Sequence, residues 1–289
     1  MDASATATAG TFPRSPRPAR SGGFTLVELL VVVGIIALLV TILMPSLSRA
    51  LQLTRSAICK TQINGLIKAN HIYAADNSEH YVPAASDIFW GASGNLHRWH
   101  GVRERIDAPF DPALGPLARY LGRDGKIKQC PSFRTFRGSG GAVAYEAGSG
   151  GYGYSDLYVG SEFPEHGFRH NSPGQLRGVR SSMIGSPAET VMFTDAAMPQ
   201  GYGASYYVEE SFCYSPYNLP FSGGSGLGPP RQPSIHFRHL DSVNVGWCDG
   251  HVTGRDDFRS ITSNVYGANP QEVMVGWFGP DDNSLFDLE

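Results

Sequence analysis

The chain has 289 residues, a formal net charge of −3 and only 17% charged residues, a balance that argues against nucleic acid as a partner. Four widely spaced cysteines, Cys59, Cys130, Cys213 and Cys248, form no CxxC pair, which argues against a zinc ribbon or a redox dithiol. With 35 glycines, 20 prolines and 11% aromatic residues, the composition suggests a loop-rich fold pinned by large side chains.

Residues 1–23 are rich in Ala, Ser, Thr, Pro and Arg, a composition that reads as a disordered leader. Arg14, Arg17 and Arg20 put that end in the cytoplasm by the positive-inside rule. Arg49, Arg55 and Lys60 follow the apolar run and blur the rule, but they sit on a continuing helix. Phe24–Met44 is 21 residues, which as helix spans about 31 Å, the thickness of a hydrocarbon core. Three readings compete for it. One is an ordinary signal anchor. Another is a secretory signal discarded after Ser48-Arg49-Ala50, where small residues stand at both positions a signal peptidase inspects. The third places a cut between Gly23 and Phe24 and keeps the helix. Glu28 separates them, because a carboxylate at bilayer depth costs about 2.5–3.5 kcal/mol and serves neither an anchor nor a disposable signal. Beside a freed Phe24 amine, it gains a positive partner.

The stretch GGFTLVELLVVVGIIALL resembles the class III signal of type IV pilins and type II secretion pseudopilins. The resemblance implies that a prepilin peptidase cuts after Gly23 and methylates the new N-terminal Phe24. It implies that Glu28 guides subunit docking, and that Pro45 stands where those pilins carry a helix-kinking proline.

After Pro45 the apolar residues Leu47, Leu51, Ile58, Ile63, Leu66, Ile67, Tyr73 and Ala74 recur mostly at helical steps. One helix of about fifty residues is therefore expected, apolar all round in its first half and one-sided in its second, ending near Asp76-Asn77. CKTQINGLIKANHIYAADNSEHYVPA is similar to a stretch of a pilin-like family abundant in planctomycetes, matching at Cys59, Asn64, Tyr73, Asp76, Asn77, Tyr81 and Pro83. Short strands are expected at Val191–Thr194, Ser205–Val208, Ser242–Trp247, His251–Thr253 and Val273–Trp277, separated by Gly/Ser/Pro-rich loops.

In RHLDSVNVGWCDGHV, Asp249-Gly250 reads as a tight hairpin turn, with Gly supplying positive φ. His239, Asp249 and Gly250 form the H-X9-DG pattern that names a processing-associated domain of the same family. KIKQCPSFR and AETVMFTDAA resemble two further family stretches. His239 is expected to hydrogen-bond Asp249 or nearby backbone and lock the hairpin. The competing reading is a divalent metal held by His239 and Asp249 with His251, Asp241 or His236. His97/His100 and His166/His170 have ligand-like spacing but lack a third placed ligand. Cys130 and Cys213, both in loop-like segments, are the expected disulfide in an exported head, with Cys59 and Cys248 free or paired with each other. Neither HEXXH nor GXSXG is present, and no enzyme is expected.

The expected fold is α+β and pilin-like: a long N-terminal helix, its first half transmembrane, packed on a C-terminal antiparallel β-sheet head with long loops. The expected divisions are a cleaved leader at 1–23, a helix at 24–80 with its membrane span at 24–44, and a head at 81–289. The expected function is a non-catalytic, N-methylated subunit of a type II secretion pseudopilus or type IV-like filament. Its partners would be the prepilin peptidase/methyltransferase, other pilin-like subunits, a secretion or pilus assembly platform and the membrane. It would lie in the cytoplasmic membrane as a single pass, with its N-terminus cytoplasmic and its head in the periplasm or at the cell surface. No cofactor is expected apart from the divalent metal just described. The alternative is a membrane-anchored binding module for polysaccharide or metal, with the helix only a tether.

Overall fold

The computed structural model describes residues 23–87, 94–122, 125–133, 146–162, 177–201, 205–218, 227–260 and 267–289. The leader arginines and the His166/His170 pair lie outside these residues. The chain divides into two compact units, the first ending at Ser48 and the second running Arg49–Glu289.

Helix α1, Leu26–Asp76, is continuous through Pro45. Pro45 has no N–H to donate to the Thr41 carbonyl four residues back. Within the first unit every described residue is exposed, including Leu29, Ile36, Leu39 and Met44. A helix apolar on all faces, with mean hydropathy 3.0 over its most apolar 18-residue window, is long and apolar enough to cross a membrane. Past Arg49 the helix becomes one-sided. Cys59, Ile63, Leu66, Ile67, Asn70 and Ala74 are buried at three- and four-residue steps or their neighbours. Asn77 stops the helix by donating from Nδ2 to the Tyr73 carbonyl (2.7 Å), and Ser78 and Glu79 follow at positive φ.

Among the described residues the head carries eleven short strands. β1 (His97–Arg98) and β2 (Gly101–Val102) form a hairpin, as do β5 (Met198–Gly201) and β6 (Ser205–Val208). β8 (Ile235–His236) pairs with β11 (Val275–Gly276). The central sheet has five strands in the order β10 (Val252–Arg255), β9 (Val243–Trp247), β4 (Val191–Asp195), β3 (Tyr152–Ser155) and β7 (Phe212–Cys213). The expected antiparallel sheet is therefore mixed: β3 and β7 run parallel, the other neighbours antiparallel. Gly153 permits the parallel pair, since a Cβ there would lie 2.6 Å from the Phe212 backbone.

Both faces of the sheet are covered. On one side α1 meets Tyr154, Phe193 and Phe212; on the other, Val191, Val243, Val245 and Trp247 join Trp277, Phe278 and Phe286. Gly246 in β9 is a point of close approach to α1. A Cβ on it would sit 2.5 Å from Ile63 Cγ2 and 2.7 Å from Ile67 Cδ1, so the helix rests directly on strand backbone. Asn70 on α1 ties this interface together, donating to Tyr154 Oη (3.0 Å) and accepting from the Val82 N–H (2.9 Å).

Candidate functional site

Two places carry the residues singled out from the sequence. At the start of α1, Gly23 and Phe24 are exposed, Phe24 at 74%. Glu28 does not stand alone. Its Oε2 accepts from the Thr25 N–H (2.9 Å) and the Thr25 hydroxyl (2.7 Å), while its own N–H donates to Thr25 Oγ1 (3.2 Å). This is a reciprocal capping box: Thr25 caps the helix and Glu28, at the third helical position, closes back on it. The reading of Glu28 as an acid waiting for an amine missed Thr25, although Thr-x-x-Glu before an apolar run is the pattern that announces such a cap.

The second place is strand β9, with one half of the H-X9-DG pattern beyond each end. At its C-terminal end the expected hairpin is present. Gly250 has φ 102°, β9 and β10 pair antiparallel, and Asp249 Oδ1 accepts from the His251 N–H (3.0 Å) and contacts His251 Nδ1 (2.5 Å). The His251 ring stacks on Trp247. The Gly250 carbonyl accepts from Asn64 Nδ2 of α1 (2.7 Å), so the turn is bolted to the helix.

At the other end His239 opens a tight turn, with Leu240 and Asp241 both at positive φ and Ser242 returning a hydrogen bond to the His239 carbonyl. The His239 side chain does not reach Asp249. A five-residue strand at about 3.3 Å per residue separates the two ends by roughly 13 Å, so the expected His239–Asp249 lock cannot form. His239 Nε2 instead lies 3.2 Å from Asp195 Oδ2 and 3.6 Å from Cys130 Sγ. Nor do Asp249, His251, Asp241 or His236 join His239 as a ligand set. Asp249 is spent on His251, and His236 lies against Arg238 (3.1 Å).

Asp195, the last residue of β4, is the hub of this end. Arg238 donates to its Oδ1 (3.0 Å) and the Asn244 N–H to its Oδ2 (2.9 Å). Burial alone would raise the Asp195 carboxyl, but Arg238, His239 and the Asn244 amide outweigh it and hold it at about 2. Burial, then the Arg238 charge, drives His236 well below the usual imidazole range, which keeps it neutral.

Cys130 bonds to Cys59 of α1, not to Cys213. The one-sided helix turns Cys59 inward at the position facing the Cys130 loop, whereas Cys213 sits in β7 and is buried free, as is Cys248. Burial raises both free thiols. Cys59, Cys130, Asp195 and His239 are all buried, and one donor atom from each lies within 4.8 Å of the others. His97 and His100 are not a pair either. His97 is exposed beside Asp87 (3.0 Å), while His100 is buried, and desolvation with Arg98 and Arg103 nearby lowers it to about 3.

Residues 18–44 match the family described as the prokaryotic N-terminal methylation motif. Over 69 residues the chain is 36% identical to the type IV wide pilus major component PilA4 of Thermus thermophilus, a match covering 24% of this chain. The chain spans about half, 53%, of the length of that curated relative. No solved structure matches. Pilin-type proteins are in general non-catalytic structural subunits. The chain thus carries a prepilin-like N-terminal methylation motif and weak similarity to a pilin, on a long apolar helix whose second half packs against a mixed β-sheet head.

Proposed function

We propose that this chain is a prepilin-like subunit cut between Gly23 and Phe24 by a prepilin peptidase, methylated on the new Phe24 amine, and assembled into a type II secretion pseudopilus or type IV-like filament. On this reading residues 1–23 are the cytoplasmic leader, 24–44 cross the cytoplasmic membrane within the 24–80 helical region, and 81–289 form a head on the periplasmic or outer side. Its partners are other pilin-like subunits and the assembly platform of a secretion or pilus machine.

The observation that carries this reading is the first half of α1: a stretch of helix with every side chain exposed and a single acid, directly behind the Gly23-Phe24 junction of the methylation motif. A tether needs apolar length but no acid. A filament core needs both, because the apolar faces bury one another while the carboxylate fixes register. A misplaced helix would leave the charge unpaired in an apolar medium. The Thr25 cap refines this account. It partly satisfies Glu28 within its own chain, so the carboxylate enters the bilayer with two hydrogen bonds and keeps further lone pairs for a neighbour's amine. Shearing cells that express the chain and fractionating the released material tests the proposal. The mature protein should sediment as a polymer with partner subunits, and Glu28→Ala should abolish that without removing the chain from the membrane. Wild-type chain found only as membrane-bound monomer would reject it.

A further inference from the structure

We propose that the reduced form of this chain binds one zinc ion through Cys59, Cys130, Asp195 and His239, so that the disulfide and a metal bridge are alternative fastenings of α1 to the head. The inference does not depend on the filament reading.

The donor set is two thiols, an imidazole and a carboxylate, the ligand types zinc takes in four-coordinate sites. They come from four separate stretches: α1, the loop at Cys130, the end of β4 and the turn before β9. The geometry around His239 favours a metal over a relay. A nucleophile–base–orienter triad uses opposite ring nitrogens, whereas here the same Nε2 faces both Cys130 Sγ (3.6 Å) and Asp195 Oδ2 (3.2 Å). The other nitrogen, Nδ1, is buried with no hydrogen-bond partner among the described residues, so all the polar contacts of the ring converge on the cluster.

The two spacings around His239 Nε2 fit a tetrahedral shell. Zinc bonds of about 2.3 Å to sulfur and about 2.0–2.1 Å to nitrogen and oxygen set N···S near 3.5 Å and N···O near 3.3 Å. The two measured edges, 3.6 and 3.2 Å, already have those lengths. The bonded sulfurs must part, to about 3.8 Å in the same shell, and the remaining donor atoms already lie within 4.8 Å of one another. Charge also balances. Two thiolates and a carboxylate around Zn2+ and a neutral imidazole leave one negative charge, and the buried Arg238 guanidinium, 3.0 Å from Asp195 Oδ1, offsets it from the outer layer.

The switch requires a two-electron reductant. With a phosphine, the S–S bond accepts two electrons and two protons to give two thiols, while the phosphine takes the oxygen of water and becomes its oxide. Zinc then displaces both thiol protons to solvent.

The test uses the full chain in detergent micelles, reduced anaerobically with a phosphine, loaded with Zn2+ alone, desalted and assayed for metal by mass spectrometry. The reduced chain should retain about one equivalent of zinc and the unreduced chain almost none. The Cys213→Ser/Cys248→Ser variant should retain it fully, and His239→Ala should lose at least about tenfold in affinity. Loading with Co2+ reads the ligands without any substitution, so it stands even where a variant fails to fold. A sulfur-to-cobalt charge-transfer band with tetrahedral visible bands is expected. Zinc retention no greater in the reduced than in the oxidised chain, or a cobalt spectrum without sulfur character, would overturn the proposal.

Discussion

Asp195→Asn is the substitution that probes the buried hub most sharply. Asp195 and Arg238 have side chains 0% and 3% exposed, so the pair is hardly screened by solvent. The folded carboxyl titrates at about 2 against an ordinary 3.8, which makes the surroundings worth roughly 2 kcal/mol in favour of its charged form. Asparagine keeps the shape, removes the charge from beside Arg238, and offers donors where the Asn244 N–H and His239 need an acceptor. Breaking a buried pair in this way costs about 3–5 kcal/mol, so a loss of about 3 kcal/mol is expected at pH 7. A group whose folded value is depressed contributes its stability in full above the unfolded value and loses it as pH falls through the folded one. The gap between wild type and variant should therefore hold down to about pH 4 and narrow by roughly 2 kcal/mol by about pH 2. Urea unfolding of the full chain in micelles, followed by tryptophan fluorescence across that range, measures both. A variant within 0.5 kcal/mol of wild type at pH 7, the scatter of an ordinary surface change, would refute the hub.

Four further outcomes follow from other contacts. Gly246→Ala should destabilise the head by about 1–3 kcal/mol in the same unfolding assay, because its methyl meets Ile63 and Ile67; an unchanged midpoint would mean that α1 does not rest on β9. Asn64→Ala should cost about 1 kcal/mol by leaving the Gly250 carbonyl without its helix donor, whereas Asp249→Ala should not be coupled to His239→Ala, and a double-mutant cycle with an interaction above about 0.5 kcal/mol would contradict the separation of the two ends of β9. Thr25→Val should speed hydrogen exchange at the first turn of α1, most at the Glu28 amide that Thr25 Oγ1 accepts from, and unchanged exchange would deny the cap.

The elements legible in the sequence are those that local chemistry dictates. The first half of α1 is apolar on every face, its end follows from Asp76-Asn77, and the Asp249-Gly250 turn needs only a glycine at positive φ. The strand expected at Val191–Thr194, which runs Val191–Asp195, is legible as a run of apolar residues, but its direction and neighbours are not, because both faces of the sheet are covered and no alternation marks which side is inside. The cluster around His239 was half legible. His239 and Cys130 stood out by type, yet Asp195 and Cys59 lie 44 and 180 residues from His239 in sequence, and only the β4–β9 register and the inward turn of α1 unite them. The His239–Asp249 pairing failed for the opposite reason. Residues close in sequence were kept apart by the extended strand between them. The Thr25 cap is legible in the sequence as well, since a hydroxyl three residues before Glu28 is the local pattern of a capping box.

The central claim is that the chain is cut after Gly23 and keeps its apolar helix. Mass spectrometry of the intact protein purified from membranes, with fragmentation of its N-terminal peptide, tests it directly. The account predicts a chain beginning at Phe24 and heavier by one methyl group on the Phe24 nitrogen. A chain beginning at Leu51 would contradict it, because the helix would then have been a discarded secretory signal. An uncut chain still carrying the leader would contradict it in favour of a plain membrane anchor.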